Sequence, residues 1–167
     1  MLNTGLVYNG PSAIRYPRGN TNGNEIAITD DIIEIGKSLT IREGNKIALL
    51  VFGELIKNVI EIAEQLSLTL IDMRFAKPID TKLIQNLNKT HDIFITIEEN
   101  AIGGFSSQVN DFLINKLNKT PKILNFFMKD EFIDQSDIDD QYNKSGISKE
   151  LIFDKVSMLL KWFRFIY

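Results

Sequence analysis

The chain contains the run Ile47-Ala48-Leu49-Leu50-Val51-Phe52, which is apolar throughout and is closed by Gly53. The run is short and has no polar side to face water, which is typical of a strand inside a parallel sheet. The apolar residues that follow recur at helical spacing from Leu55 to Leu66. A buried strand followed by an amphipathic helix predicts a βα unit.

The same alternation continues towards the C-terminus. Further strands are predicted at 68–71, 93–97 and 122–126, helices after Asp80, after Gly104 and over 149–165, and a short edge strand at 38–42. Strands that alternate with helices of this length form a mostly parallel sheet covered on both faces. We therefore predict an α/β protein with a three-layer α/β/α domain over residues 37–167.

The first 36 residues have a different composition, rich in Gly, Asn, Thr and Pro. The short apolar stretch Ala13-Ile14 predicts the end of a strand that enters a loop at Pro17, because proline cannot donate to a sheet. Residues 21–36 are interpreted as a linker. This segment has too little apolar surface to fold alone.

Composition narrows the function classes. The 167 residues include 19 Lys and Arg, 22 Asp and Glu, one His and no Cys, with a net charge of -3. Without cysteine the chain has no disulfides, thiolate nucleophile or cysteine zinc site. The scattered, mildly acidic charge predicts no nucleic-acid partner, and the short apolar runs predict no membrane span. No signal-peptide pattern is seen at the first residues, and the expected location is the cytoplasm.

Three segments follow predicted strands, at 52–54, 72–78 and 98–104, where parallel sheets usually place their ligand sites. Glu98 and Glu99 could do acid–base chemistry as a pair. Neighbouring residues of a strand point to opposite faces, however, which favours a structural or subunit-contact role. Asp72 and Arg74 point the same way and are predicted to form an ion pair, most often a structural feature.

Other candidate functional residues are explained as well by structural roles. Gly103-Gly104 could cradle a phosphate, but the pair lacks a complete phosphate-binding motif and favours a tight strand-to-helix turn. His91 is better explained as a cap or surface residue than as a catalyst. The C-terminal aromatic residues suit helix packing or a subunit interface; they are Trp162, Phe163, Phe165 and Tyr167.

Arg18 is the candidate anion ligand. It stands between Pro17 and Gly19, where a strand is predicted to end. A guanidinium group binds phosphate through two parallel hydrogen bonds. The residues alone leave phosphate binding and an ordinary salt bridge both open.

Three strings occur in a characteristic order and spacing: Gly10–Asn20, Ile71–Asp80 and Glu98–Gly104. Together they resemble the C-terminal quarter of the 1-deoxy-D-xylulose-5-phosphate synthases, a family of transketolase-like thiamine diphosphate enzymes. Transketolases and the β subunits of 2-oxo acid dehydrogenases share the domain, but the strings 16–20 and 98–101 favour the synthases. The chain departs from the family at Met128-Lys129-Asp130 and Asp134-Gln135-Ser136, so the loop at 128–136 does not follow the family's pattern.

The resemblance implies a transketolase C-terminal-like domain at 37–167, preceded by the tail of a pyrimidine-binding domain and a linker at 1–36. It also implies a thiamine diphosphate-dependent transferase that uses Mg²⁺, in which Arg18 holds the substrate phosphate. The family's Gly-Asp-Gly magnesium motif and its cofactor-activating glutamate have no counterpart here. We expect this chain to contain no catalytic, cofactor-binding or metal-binding residue and to be inactive alone.

The partners implied are the remainder of a synthase chain and a second copy in a homodimer. One alternative is a free-standing transketolase C-terminal-like module that dimerises or binds a partner without catalysis. Another is a small flavodoxin-like nucleotide binder, which no phosphate fingerprint in the sequence supports.

Overall fold

The structure is a computed structural model that describes residues 1–14 and 30–166, with the backbone alone at 163–166. The described chain divides into two compact units, Met1–Ile35 and Gly36–Tyr167. The first unit contains helix α1 (Leu2–Val7), and the Ile33 N–H donates to Thr4 Oγ1 at 2.9 Å. The predicted strand end at Ala13-Ile14 is wrong: these two residues have no regular structure, since no described strand pairs with them.

The second unit alternates strands and helices as predicted. Its elements are β1 (Leu39–Arg42), β2 (Lys46–Phe52), α2 (Ile56–Gln65), β3 (Thr69–Asp72), α3 (Thr81–Leu87), β4 (His91–Glu98), α4 (Phe105–Asn115), β5 (Lys122–Phe126), α5 (Ile138–Ser145) and α6 (Lys149–Ile166). The strand order is β1-β3-β2-β4-β5. All pairs are parallel except β1 with β3. Strand β1 lies at one edge of the sheet, as predicted.

The core lies on both faces of the sheet because the central strands are apolar on both sides. On one face, Leu49 and Ile95 pack with residues of α2 and α6. On the other, Leu50 and Phe94 pack with residues of α3 and α4. Each large apolar side chain buried in this way stabilises the fold by roughly 1.5–3 kcal/mol. The predicted three-layer α/β/α architecture is confirmed.

Helix α5 was not predicted. Its sequence is mostly polar, but its ends carry the usual capping residues: the Asp137 carboxylate accepts the Asp140 N–H, and Gly146 has a left-handed backbone with φ of 83°.

Within the part of the chain described, no helix is long and apolar enough to cross a bilayer.

Candidate functional site at the carboxyl edge of the sheet

The three predicted site segments meet at one edge of the sheet. The register places Val51 beside Asp72, Phe52 beside Glu98, and Ile97 beside Phe126. The carboxyl ends of β3, β2, β4 and β5 therefore lie next to one another, which is where open parallel sheets form their sites.

Glu98, the last residue of β4, is completely buried. Its carboxylate accepts the N–H groups of Phe105 and Ser106, each at 2.7 Å, and the Asn100 side-chain amide at 3.1 Å. Phe105 and Ser106 open α4, so the negative charge sits at the positive end of the helix dipole. These bonds engage both oxygens, and Glu98 acts as a buried cap of α4.

Gly103 and Gly104 form the tight turn that brings α4 onto Glu98. Gly103 has φ of +102°, and a Cβ on Gly104 would lie 2.2 Å from Glu98 Oε2. The amides that a phosphate would need at this helix start already bind Glu98. The strand-to-helix turn is confirmed, and the phosphate-cradle alternative is excluded for these amides.

Glu99 faces the other side of the sheet, as strand alternation predicts. The Tyr142 hydroxyl on α5 donates to Glu99 Oε1. Burial, together with this bond to a carboxylate, raises the pKa of Tyr142 far above its usual range. Glu98 and Glu99 therefore do not act as a pair: each links β4 to a different helix, and the structural interpretation is confirmed.

Asp72 and Arg74 form the ion pair expected at the end of β3. The Arg74 N–H donates to Asp72 Oδ1 at 3.1 Å, and Arg74 Nε lies 3.7 Å from Asp72 Oδ2. The arginine backbone is left-handed, with φ of 54°. One carboxylate therefore fixes both the backbone and the side chain of this turn.

His91 lies at the amino end of β4, away from the carboxyl edge, and the surface interpretation is wrong because the residue is buried. Its ring lies 3.1 Å from the Leu87 carbonyl oxygen through Nδ1 and 2.8 Å from Thr69 Oγ1 through Nε2. A neutral ring that donates from Nδ1 and accepts at Nε2 satisfies both contacts. Burial lowers the pKa of His91, which favours that neutral form, and the cap interpretation is confirmed because Leu87 ends α3.

Two predicted features lie wholly or partly outside the described residues. Arg18, the predicted phosphate ligand, is outside them, as are the side chains of Phe163, Phe165 and Tyr167. Trp162 is half exposed, and Lys122 Nζ lies 3.9 Å from the centroid of its ring.

The structure also shows a cleft that sequence analysis missed. It has a volume of about 390 Å³ and is lined by Ala101 and residues 128–133. Phe132 in this loop is 106% exposed and Ile102 is 68% exposed. Phe132 and Ile133 form a short apolar pair between Glu131 and Asp134. Such a pair is a weak sequence signal, because it does not show whether the side chains turn inward.

The described residues do not fit a thiamine diphosphate–magnesium centre. Among residues 1–14 and 30–166, no group of three or more His, Asp or Glu side chains could hold a metal ion. The buried carboxylate at the carboxyl edge, Glu98, already caps a helix. No step of a cofactor reaction is therefore assigned to these residues.

Residues 36–152 match the family model described as the C-terminal domain of transketolase. The chain belongs to the transketolase C-terminal domain family. This match covers more than two thirds of the chain. The resemblance stated from the sequence motifs is confirmed at this level.

Curated relatives of this transketolase C-terminal domain chain carry the name 1-deoxy-D-xylulose-5-phosphate synthase. The protein from Pseudoalteromonas translucida (strain TAC 125) is 39% identical over 161 residues, 96% of this chain. Those from Psychromonas ingrahamii and Vibrio vulnificus (strain CMCP6) are 41% and 43% identical over 91% and 88% of it. The chain spans only 26%, 25% and 24% of these relatives, about a quarter of their length.

A solved structure shares the fold of this domain. It is described as a split gene transketolase, inactive beta4 tetramer, and superposes with a TM-score of 0.68 at 23% sequence identity. The match covers 80% of this chain and 45% of the other. At this identity, the likeness supports the fold alone.

Proposed function

We propose that this chain is the C-terminal region of a 1-deoxy-D-xylulose-5-phosphate synthase. The observation that carries the proposal is identity of 39–43% to synthases over 88–96% of the chain. Residues 37–167 are the transketolase C-terminal-like domain, and residues 1–36 are the tail of the pyrimidine-binding domain and a linker.

The enzyme would join pyruvate to glyceraldehyde 3-phosphate and release carbon dioxide, giving 1-deoxy-D-xylulose 5-phosphate. This product enters the methylerythritol phosphate route to isoprenoids and also serves thiamine biosynthesis. Thiamine diphosphate and Mg²⁺ would bind the remaining three quarters of the enzyme. The described residues of this chain would assemble and support those domains, within a cytoplasmic homodimer, and the chain alone would be inactive.

Arg18 is the residue of this chain that we assign to the substrate. Its guanidinium group would pair with the phosphate of glyceraldehyde 3-phosphate. Removing a hydrogen bond to a charged group costs about 1.5–3 kcal/mol, or about 10- to 150-fold in kcat/KM.

The test is a chimera in which this chain replaces the matching quarter of the Vibrio vulnificus synthase. We expect the chimera to form 1-deoxy-D-xylulose 5-phosphate from the two substrates and the isolated chain to form none. An inactive, folded chimera would contradict the proposal. An isolated chain that dimerises beside such a chimera would support the free-standing module instead.

The same chimera tests Arg18. Arg18→Ala should lower kcat/KM for glyceraldehyde 3-phosphate by the factor given above. The KM for pyruvate is the internal control and should stay within twofold, because pyruvate carries no phosphate. Unchanged kcat/KM for the phosphorylated substrate would remove the assignment of Arg18.

A further inference from the structure

The two segments that form the cleft, after β4 and after β5, each carry an exposed apolar side chain. Phe132 is 106% exposed, as much as in an isolated residue, and Ile102 is 68% exposed. The backbone neighbour of Ile102, Ala101, lines the same cleft as Phe132. Large apolar groups gathered at a concave surface mark interaction sites more often than scattered ones do. We call Ala101, Ile102 and residues 128–133 the Phe132 surface.

The Phe132 surface is held by backbone hydrogen bonds to the segment after β4 and to α5. The Met128 N–H donates to the Asn100 carbonyl at 3.0 Å, and the Lys129 N–H donates to the Ser145 carbonyl at 3.2 Å. Asn100 is in turn bonded to the buried Glu98. Because the start of the loop is anchored in this way, less conformational entropy is lost when Phe132 inserts into a partner.

The rim of this surface is acidic. Asp130, Glu131 and Asp134 are exposed around Phe132. Lys129 lies 3.6 Å from Glu131 through its Nζ, which leaves the rim net negative. A partner that fits must offer an apolar pocket for an aromatic ring, bordered by lysine or arginine side chains.

A second copy of this chain does not have that chemistry at the same surface. A twofold interface would bring the Phe132 surface against itself and oppose its acidic rims, which is unfavourable. The relatives, in contrast, have three quarters of their length outside the part that this chain spans. That length can supply the pocket.

We propose that the Phe132 surface docks the catalytic part of the synthase, with the Phe132 ring as its anchor and basic residues at its rim. The inference rests on the proposed function, since it takes the occupant to be the rest of that enzyme. Buried aromatic anchors of this kind contribute most of the binding energy of an interface.

The chain has no cysteine, which allows single thiols to be placed on its surface. Phe132→Cys and Met158→Cys are the matched pair, because Met158 is also exposed, at 68%, but lies on α6 outside the cleft lining. Each variant is made in the isolated chain and in the chimera. The rate of maleimide labelling at each position is measured by peptide mass spectrometry. This method separates the thiols at 132 and 158 from cysteines elsewhere in the chimera.

We expect the thiol at position 132 to react at least tenfold more slowly in the chimera than in the isolated chain. The thiol at 158 should change by less than twofold. Equal labelling at 132 in a chimera that turns over substrate overturns the docking inference and leaves the proposed function standing. An inactive chimera in which position 132 is protected overturns the proposed function and supports docking at this surface. An inactive chimera in which position 132 is not protected overturns both the proposed function and the docking inference.

Two further measurements identify what covers the Phe132 surface and whether Phe132 stabilises that contact. Protection at 132 that rises with concentration in the isolated chain would assign the surface to a second copy and overturn our assignment. Phe132→Ala should leave the unfolding midpoint of the isolated chain unchanged, since the side chain is fully exposed there. In the chimera it should lower the midpoint, whereas Met158→Ala should not; equal effects would contradict the anchor.

Discussion

The carboxylate of Glu98 is enclosed in the core and accepts two backbone N–H groups from α4. Gly104 permits this contact, since a Cβ there would lie 2.2 Å from Glu98 Oε2. We predict that Gly104→Ala lowers the free energy of unfolding by about 2–3 kcal/mol, because it displaces a buried charge from its donors. Urea unfolding followed by circular dichroism measures the change.

Ser107→Ala is the control for the Gly104 experiment, because it also places an alanine at the start of α4 but adds no Cβ beside Glu98. It should change stability by less than about 0.5 kcal/mol. Glu98→Gln should also destabilise the protein, since an amide offers one acceptor oxygen to two N–H donors. A Gly104→Ala protein as stable as the Ser107→Ala protein would show that Glu98 does not require the glycine.

His91 is the single histidine of the chain, which makes its titration separable from that of other groups. Burial lowers its pKa in the folded state, so the unfolded chain binds the proton first as the pH falls below about 6.5. The free energy of unfolding should therefore decrease between pH 7 and pH 5.5. The slope is at most about 1.4 kcal/mol per pH unit. Urea unfolding at several pH values measures it.

His91→Gln removes the titrating ring and is the comparison for that slope. The variant is expected to be less stable at every pH, because Thr69 and Leu87 lose their contacts to the ring. Its stability should nevertheless vary little between pH 7 and pH 5.5. If the variant keeps the slope of the parent protein, another group is responsible.

At the scale of elements, strands were predictable because burial on both faces leaves uninterrupted apolar runs. Strand β5 matches its predicted range, and β2, β3 and β4 differ by one or two residues at their ends. Helix α5 escaped prediction because Ile138 and Tyr142 are its only large apolar residues. Its end signals, Asp137 and Gly146, were readable in the sequence.

The candidate site was predictable only where local geometry decides it. Strand alternation places Glu98 and Glu99 on opposite faces, and two-residue spacing pairs Asp72 with Arg74. The enclosure of His91 depends on Thr69, which is 22 residues away in sequence. The exposure of Phe132 depends on which elements leave it uncovered, and no local pattern encodes that.

Two helices begin at aspartate caps that differ in one contact. Asp80 Oδ1 accepts the Leu83 N–H at 3.1 Å, and its Oδ2 accepts the Ser38 N–H at 3.1 Å. Asp137 accepts the Asp140 N–H at 2.8 Å and is exposed. We predict a loss of about 1 kcal/mol for Asp137→Ala and about 2 kcal/mol or more for Asp80→Ala. Urea unfolding of both variants measures the difference.

The larger effect at Asp80 has one physical source, the second bond to the segment that enters β1. Asp80→Ser provides the check, because serine still caps the helix but cannot also reach Ser38. Its stability should fall between that of the parent and that of Asp80→Ala. Equal losses for Asp80→Ala and Asp137→Ala would mean that the bond to Ser38 contributes nothing.

At the scale of the whole molecule, the second unit has a core on both faces of its sheet, while most apolar side chains in the described part of the first unit, 1–14 and 30–35, are exposed. Leu2, Leu6 and Val7 of α1 are all more than half exposed. The second unit therefore has the buried surface needed for an independent fold. The described residues of the first unit do not bury such a surface.

The described residues contain no cluster able to hold Mg²⁺, and Glu98 is committed to α4. We predict that calorimetric titration of the isolated chain with thiamine diphosphate and Mg²⁺ shows no saturable binding at micromolar concentrations. The chimera, which carries the other three quarters of a synthase, should bind under the same conditions. Micromolar binding by the isolated chain would instead place a cofactor site within these 167 residues.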